Sequence, residues 1–215
     1  MLAELAASAR RPLTVVDVGC GDGMATAVAI ATCAAAPGAP ARFVGVDWSV
    51  AGVTAARARQ VVAVRGSVDP PGLPIGSATV DVVVMSEIIE HLVDTDGALA
   101  EARRILVPGG TLLLSTPNLA AWFNRGLLAV GVQPLFTEVS MAGIFGRPGK
   151  EVVGHLRLFT RRAAVGLLRS SGFVDVSVAG APYHDVPRPL RPLDRFLCHF
   201  PGLSSILLVT ARTPH

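Results

Sequence analysis

The sequence predicts an α/β fold, a mostly parallel sheet with helices on both faces. Three observations carry this reading. Short β-branched runs alternate with helical segments through residues 13–116. A glycine-rich turn, Gly19-Cys20-Gly21-Asp22-Gly23, ends the first of these runs and opens a helix. Hydrophobic residues make up 51% of a 215-residue chain, which is enough for a full α/β core. In such sheets a ligand lies outside the carboxyl ends of the strands.

The elements follow in order. Residues 2–11 carry a short helical pattern. The first strand is Thr14–Val18, and a helix runs from Gly23 to Ala35 until Pro37-Gly38-Ala39-Pro40 ends it. The second strand, Arg42–Val46, leads into Asp47-Trp48-Ser49, where Ser49 reads as the cap of a helix over Val50–Arg59. A third strand, Val61–Arg65, precedes Gly66-Ser67-Val68-Asp69 and a proline-rich loop that includes Pro71. The fourth strand, Val80–Met85, runs into Ser86-Glu87-Ile88-Ile89-Glu90-His91-Leu92, read as a short helix. Asp94 caps a helix over Gly97–Leu106. A sharp Val107-Pro108-Gly109-Gly110 turn then opens strand Thr111–Ser115. Further on come a helix Leu119–Val130, a glycine- and proline-rich stretch Gly131–Lys150, and a helix Arg161–Ser170 capped by Thr160. Strands Phe173–Val178 and Ser205–Ala211 flank a proline- and arginine-rich excursion over 181–202.

Composition narrows the function classes. Mean hydropathy is +0.52, yet the longest charge-free candidate, Met24–Ala36, is too short to cross a bilayer and suits a buried helix. The N-terminus lacks the order of a signal peptide, so the expectation is a soluble cytoplasmic protein, monomer or homodimer. Net charge is +3, the arginines are scattered, and Lys150 is the only lysine, which argues against a nucleic-acid partner. Cys20, Cys33 and Cys198 have no metal-ligand spacing and read as reduced thiols.

The glycine turn matches E/D-x-G-x-G-x-G in full, at Asp17, Gly19, Gly21 and Gly23. With Asp47, Leu73-Pro74-Ile75 and Leu106-Val107-Pro108-Gly109-Gly110, the chain resembles the class I S-adenosylmethionine-dependent methyltransferases. The resemblance implies a Rossmann-like seven-stranded sheet of order 3-2-1-4-5-7-6 with strand 7 antiparallel. It also implies one domain over 1–215, with 117–154 as a lid over the acceptor. S-adenosylmethionine would be held by Asp17, Gly19, Cys20, Gly21, Asp47, Trp48, Ser67, Val68 and Ser86. Asp47 would take the ribose hydroxyls, a task that suits a carboxylate, and Trp48 would touch adenine. Read without the resemblance, Asp47 is a helix N-terminal residue. Ser67 stands where the family usually has Asp, so the adenine amino group falls to Ser67 or to Asp69 from a shifted loop.

Glu87, Glu90 and His91 lie at i, i+3 and i+4 and share one face if that segment is helical; His155 follows from the lid region. Two carboxylates and two imidazoles suit a divalent ion such as Mg2+. This E-x-x-E-H pattern, with a distant His before a Phe-Thr helix start, resembles two metal-dependent families. They are the O-methyltransferases of ubiquinone biosynthesis and the 2′-O-methyltransferases of small-RNA ends. That resemblance implies Glu87, Glu90, His91 and His155 as ligands that grip vicinal hydroxyls. The residues alone leave two alternatives: His91 and His155 serve catalysis by contacting the acceptor without metal, or they are structural. Trp122 and Phe123 read as lid packing, Tyr183-His184-Asp185 as a surface or lid feature, and Arg157 as an anion contact or a solvated residue.

The expected activity is methyl transfer to a small-molecule acceptor, at oxygen. Two alternatives stand beside it. The stretch Thr116–Arg125 resembles MetW-like proteins, which implies a regulatory binding protein without independent turnover. The small-RNA resemblance implies an RNA 2′-O-methyltransferase.

Overall fold

The computed structural model describes residues 2–9, 11–37, 40–70, 72–149 and 152–215. Arg10, Gly38, Ala39, Pro71, Lys150 and Glu151, which fall in segments read above as helix end, loop or lid, lie outside the described residues.

Among the described residues one sheet holds seven strands in the order β3-β2-β1-β4-β5-β7-β6. The strands are β1 Leu13–Val18, β2 Ala41–Asp47, β3 Ala63–Arg65, β4 Val80–Ser86, β5 Leu106–Pro117, β6 Val174–Ala181 and β7 Ile206–Arg212. β1 to β5 pair in parallel, and β7 runs antiparallel between β5 and β6. The expected order and the antiparallel β7 are both observed. The helices are α1 Leu2–Ser8, α2 Met24–Ala35, α3 Val50–Ala58, α4 Thr95–Ile105, α5 Trp122–Ala129, α6 Arg161–Ser170 and α7 Arg191–Leu197.

The central strands are apolar on both sides because helices cover both faces. Val16, Val83, Met85, Leu112, Leu114 and Leu207 join α4 and α6 in the main cluster; Val15, Phe43 and Val82 meet α1 and α2 on the other face. Local signals set the helix starts. Ser49 accepts a bond from the Gly52 amide, Asp94 from Gly97, and Thr160 from Ala163, each as expected of a cap.

Two local expectations are corrected. Val107-Pro108-Gly109-Gly110 is not a turn before β5; it lies within the strand. Gly109 takes a φ of +72° and donates to the Pro214 carbonyl, and the Thr213 amide donates to Gly110. The strand thus absorbs the proline as an irregularity, which its missing N–H permits. Ser86–Leu92 is not a continuous helix either. Ser86 still belongs to β4, Glu87 has a φ of +51°, and only Ile89–His91 makes one 3-10 turn. The Glu87 amide donates to the Ser115 carbonyl of β5, which extends the pairing of β4, and the positive φ of Glu87 keeps it out of a right-handed helix.

The chain leaves β1 toward β2 and β3 and returns to β4 on the other side of β1. The crevice at this switch lies at the carboxyl ends of β1 and β4, so the glycine turn and residues 86–91 face each other.

Candidate functional site

The glycine turn has three different physical reasons for its glycines. Gly19, Gly21 and Gly23 have φ values of +78°, +52° and +75°, where L side chains are strained. A Cβ on Gly19 would sit 2.2 Å from Ile88 Cδ1, and one on Gly23 would sit 2.8 Å from the Ala56 Cβ. A Cβ on Gly21 would meet nothing within 4 Å. Packing therefore fills the space at Gly19 and Gly23, whereas Gly21 leaves a bare backbone facing open space. That is a cradle for a ligand.

Two carboxylates brace this turn. Asp17, at the end of β1, is buried and accepts from the Thr26 hydroxyl of α2; burial pushes its carboxyl above the usual range. Asp47, at the end of β2, accepts the Gly21 amide at 2.9 Å and the Ser49 amide at 2.8 Å. Each of its oxygens keeps a lone pair for a further donor. Trp48 beside it is 73% exposed, with its indole free to cover a bound group. Cys20 turns the other way. Its thiol packs under the turn with Val53, Ala56 and Ala63, and burial pushes it up to about 11. Only the Cys20 backbone lines the turn. Ser67 and Asp69 bond each other, Val68 packs against the core, and Ser86 Oγ lies 3.1 Å from Ser115 Oγ.

On the opposite wall, one ligand atom each from Glu90, His91 and His155 lies within 4.8 Å of the others. The Glu90 side chain is completely buried. Its Oε2 accepts from the Thr116 hydroxyl at 3.0 Å, and its Oε1 has no hydrogen-bond partner among the described residues. Burial, with the Glu87 charge next in size, raises this carboxyl to about 7. His91 Nδ1 lies 3.1 Å from the Gly154 carbonyl, and His155 Nδ1 lies 3.0 Å from the Phe136 carbonyl. A carbonyl only accepts, so each Nδ1 carries a proton, and the neutral form of either ring presents its Nε2 lone pair. Burial holds His155 below its ordinary value and hence neutral. An orphaned buried oxygen beside two lone-pair nitrogens is a donor set that fits a divalent ion.

Glu87 does not join this group. Its carboxylate accepts from Ser115 Oγ at 2.7 Å, on the rim, where the surrounding chain still raises it above the usual range. Of the four expected ligands three come together, because Glu87 precedes the helical turn rather than sharing a face with Glu90 and His91.

His155 reaches the site because the segment that precedes it, expected above as a lid, is pinned in several places. The Leu156 and Arg157 amides donate to the Glu90 carbonyl at 2.8 and 3.0 Å. Glu138 and Arg147 form a buried ion pair at 3.0 Å, and Glu138 also accepts the Val153 and His155 amides. Buried Asn118 donates to the Ser204 carbonyl, and buried Asn124 accepts the Leu135 amide. Trp122 and Phe123 pack as the sequence suggested: their rings lead to Phe136, which contacts both His155 and Tyr183. Arg157 donates to the Val93 carbonyl and is not a free anion contact. Sequence reasoning missed Thr116, Glu138 and Arg147. Nothing in a glycine- and proline-rich stretch announces a buried ion pair; Thr116 was quoted, but as part of a motif rather than as a partner of Glu90.

A family model described as a methyltransferase domain matches residues 1–178. A probable S-adenosylmethionine-dependent methyltransferase of Mycolicibacterium smegmatis is 41% identical over 106 residues, covering 48% of this chain and 38% of the relative. A ubiquinone biosynthesis O-methyltransferase of Mesorhizobium japonicum is 30% identical over 126 residues, covering 59% of this chain and 47% of the relative. The chain therefore spans less than half the length of either relative. The crystal structure of a Thermotoga maritima S-adenosylmethionine-dependent methyltransferase superposes with a TM-score of 0.64 at 18% identity, covering 94% of this chain and 82% of that one. That likeness shows the fold. With the sheet order, the intact glycine turn and a family match over most of its length, the chain belongs to the class I methyltransferases, whose cofactor is S-adenosylmethionine.

Proposed function

We propose that this protein transfers the methyl group of S-adenosylmethionine to an oxygen of a small-molecule acceptor that carries adjacent oxygens, with a divalent ion held by Glu90, His91 and His155. The observation that carries this reading is the buried Glu90 carboxyl, whose Oε1 has no partner among the described residues, with a ligand atom within 4.8 Å of one from each of two imidazoles tied down at Nδ1. A fully buried acceptor without a donor costs about 1–3 kcal/mol, a penalty that a bound cation relieves. The O-methyltransferase relative supports oxygen as the acceptor atom.

When bound, the cofactor supplies an electrophilic methyl group on a sulfonium, and the ion supplies a positive charge that lowers the pKa of an acceptor hydroxyl. The chain's own residues do the positioning. Gly21 lets the backbone approach the cofactor, and Asp47 offers lone pairs to the ribose hydroxyls. The lid, pinned to Glu90 by residues 156 and 157, closes the acceptor side against water.

The test is direct. Mn2+ titrated into the cofactor-loaded protein should bind one equivalent, followed by electron paramagnetic resonance. His155→Ala should lower that affinity by at least tenfold. Absence of a stoichiometric site would overturn the metal reading. A second reading then stands on one observation: neutral His155 with a free Nε2 can itself take the acceptor's proton. In that case methylation would survive exhaustive chelation.

The glycine turn gives a paired prediction. Gly19→Ala drives a methyl into Ile88 and should cost about 2 kcal/mol or more of stability by urea unfolding. Gly21→Ala has room in the fold and should cost about 1 kcal/mol. It should still weaken binding of the demethylated cofactor by at least tenfold, because its methyl occupies the cradle. Equal cofactor affinity in Gly21→Ala and the parent would remove Gly21 from the site.

A further inference from the structure

The excursion before β7 exposes several large apolar side chains. Leu190, Leu193, Phe196 and Phe200 are 41%, 43%, 59% and 51% exposed. Their spacing over α7 and its flanks places them on one face. Phe196 and Phe200 touch each other at 5.8 Å rather than entering the core. Arg188, Arg191 and Arg195, all exposed, lie at the same helical spacing on another face. The helix is held by its inner side. Buried Asp194 accepts from the Trp122 indole at 2.9 Å, from the Tyr183 amide at 3.1 Å and from the Ser205 hydroxyl. The apolar face is thus fixed outward.

We propose that α7 and its flanks are a docking surface for an anionic lipid bilayer. Charge complementarity selects this occupant. Arg191 and Arg195 line a cavity of about 360 Å³ with Tyr183 and His184, directly beside the apolar residues. Asp194 is buried, and exposed Asp185, which accepts from the Tyr183 hydroxyl, is outnumbered by exposed Arg188, Arg191 and Arg195. Aromatic and leucine side chains next to arginines, with low acidity between them, are the chemistry of a helix lying in a headgroup layer. Position adds to the argument. Tyr183 packs on Phe136, which touches His155, and the lid's Val139, Met141 and Phe145 are 63%, 62% and 57% exposed. The docked face therefore adjoins the acceptor side of the crevice, where an apolar acceptor would arrive from the bilayer.

The experiment uses the full chain and measures flotation with phosphatidylcholine vesicles, with and without about one third phosphatidylglycerol. Binding should require the anionic lipid and weaken with salt. The double variant Phe196→Ser and Phe200→Ser should lose at least tenfold in vesicle affinity. Arg188→Gln and Arg195→Gln should each lose about fivefold. Calorimetry with the demethylated cofactor checks that each variant is folded, and that readout is independent of the acceptor and of any metal. No binding to anionic vesicles, or binding indifferent to the two phenylalanines, overturns the proposal. A solution dimer abolished by Phe196→Ser, without vesicle binding, overturns it as well and assigns the face to a second copy of this chain.

Discussion

Asp47→Ala should weaken binding of S-adenosylmethionine by about 30- to 1000-fold, measured by calorimetry with the demethylated cofactor. The estimate rests on two losses. The carboxylate would no longer accept the ribose hydroxyls, and hydrogen bonds to a charged group contribute about 1.5–3 kcal/mol each. It would also release the Gly21 and Ser49 amides, so the turn that cradles the cofactor would lose its tie to β2. Asp47→Asn separates the two. Its single carbonyl keeps one acceptor and loses the charge, and a loss of about tenfold is expected. Affinity of Asp47→Ala within threefold of the parent would exclude the ribose role and leave Asp47 as a brace for the turn.

Glu90→Gln should stabilise the metal-free protein at pH 8 by about 1–2 kcal/mol and leave it unchanged near pH 4.5. The sign follows from the raised carboxyl. In the unfolded chain the proton leaves near the ordinary 4.5, and in the folded protein near 7. Between those values the folded state holds more protons, so stability falls as pH rises through the window. The full penalty, at most about 3 kcal/mol, is reached above 7. Glutamine cannot ionise and escapes it, less the cost of placing its amide against the same partners. A divalent ion should reverse the order at pH 8, since it binds the ionised parent and not the variant. Urea midpoints at the two pH values, with and without Mn2+, give the answer. An equal difference between parent and variant at both pH values would show that folding does not raise the Glu90 carboxyl. A variant that gains as much from Mn2+ as the parent would remove Glu90 from the ligand set.

Most of the fold was legible because its signals are local. Capping residues and turn glycines act within a few residues of where they stand, so Ser49, Asp94, Thr160 and the Asp17–Gly23 run read correctly from sequence. The two misreadings were local patterns overruled by pairing. Residues 86–92 have helical spacing, yet the Glu87 amide donates to the Ser115 carbonyl of β5 and Glu87 takes a positive φ, so the helical turn starts only at Ile89. Pro108 marks a turn by composition, yet Leu106 already pairs with Val80 of β4, and Gly109 and Gly110 bond Pro214 and Thr213 beyond β7, so the strand continues through it.

The sequence by itself determined the alternation of strands and helices and the glycine turn, which depend on periodicity and on glycine's freedom at positive φ, both properties of neighbouring residues. The resemblance to class I methyltransferases added the strand order and the candidate residues Glu87, Glu90, His91 and His155. Only the tertiary structure decided which of those residues meet. His155 comes 64 positions after His91 and is brought beside it by the Glu138–Arg147 pair and by two amides on the Glu90 carbonyl. Glu87 and Glu90 look alike in sequence. Complete burial leaves Glu90 with an unpaired oxygen near neutrality, while Glu87, three residues earlier, bonds Ser115 at the rim. Burial raises both carboxyls; the Glu87 charge adds to it at Glu90 and the Ser115 hydroxyl opposes it at Glu87, and these neighbours are set by what the whole fold packs around each one.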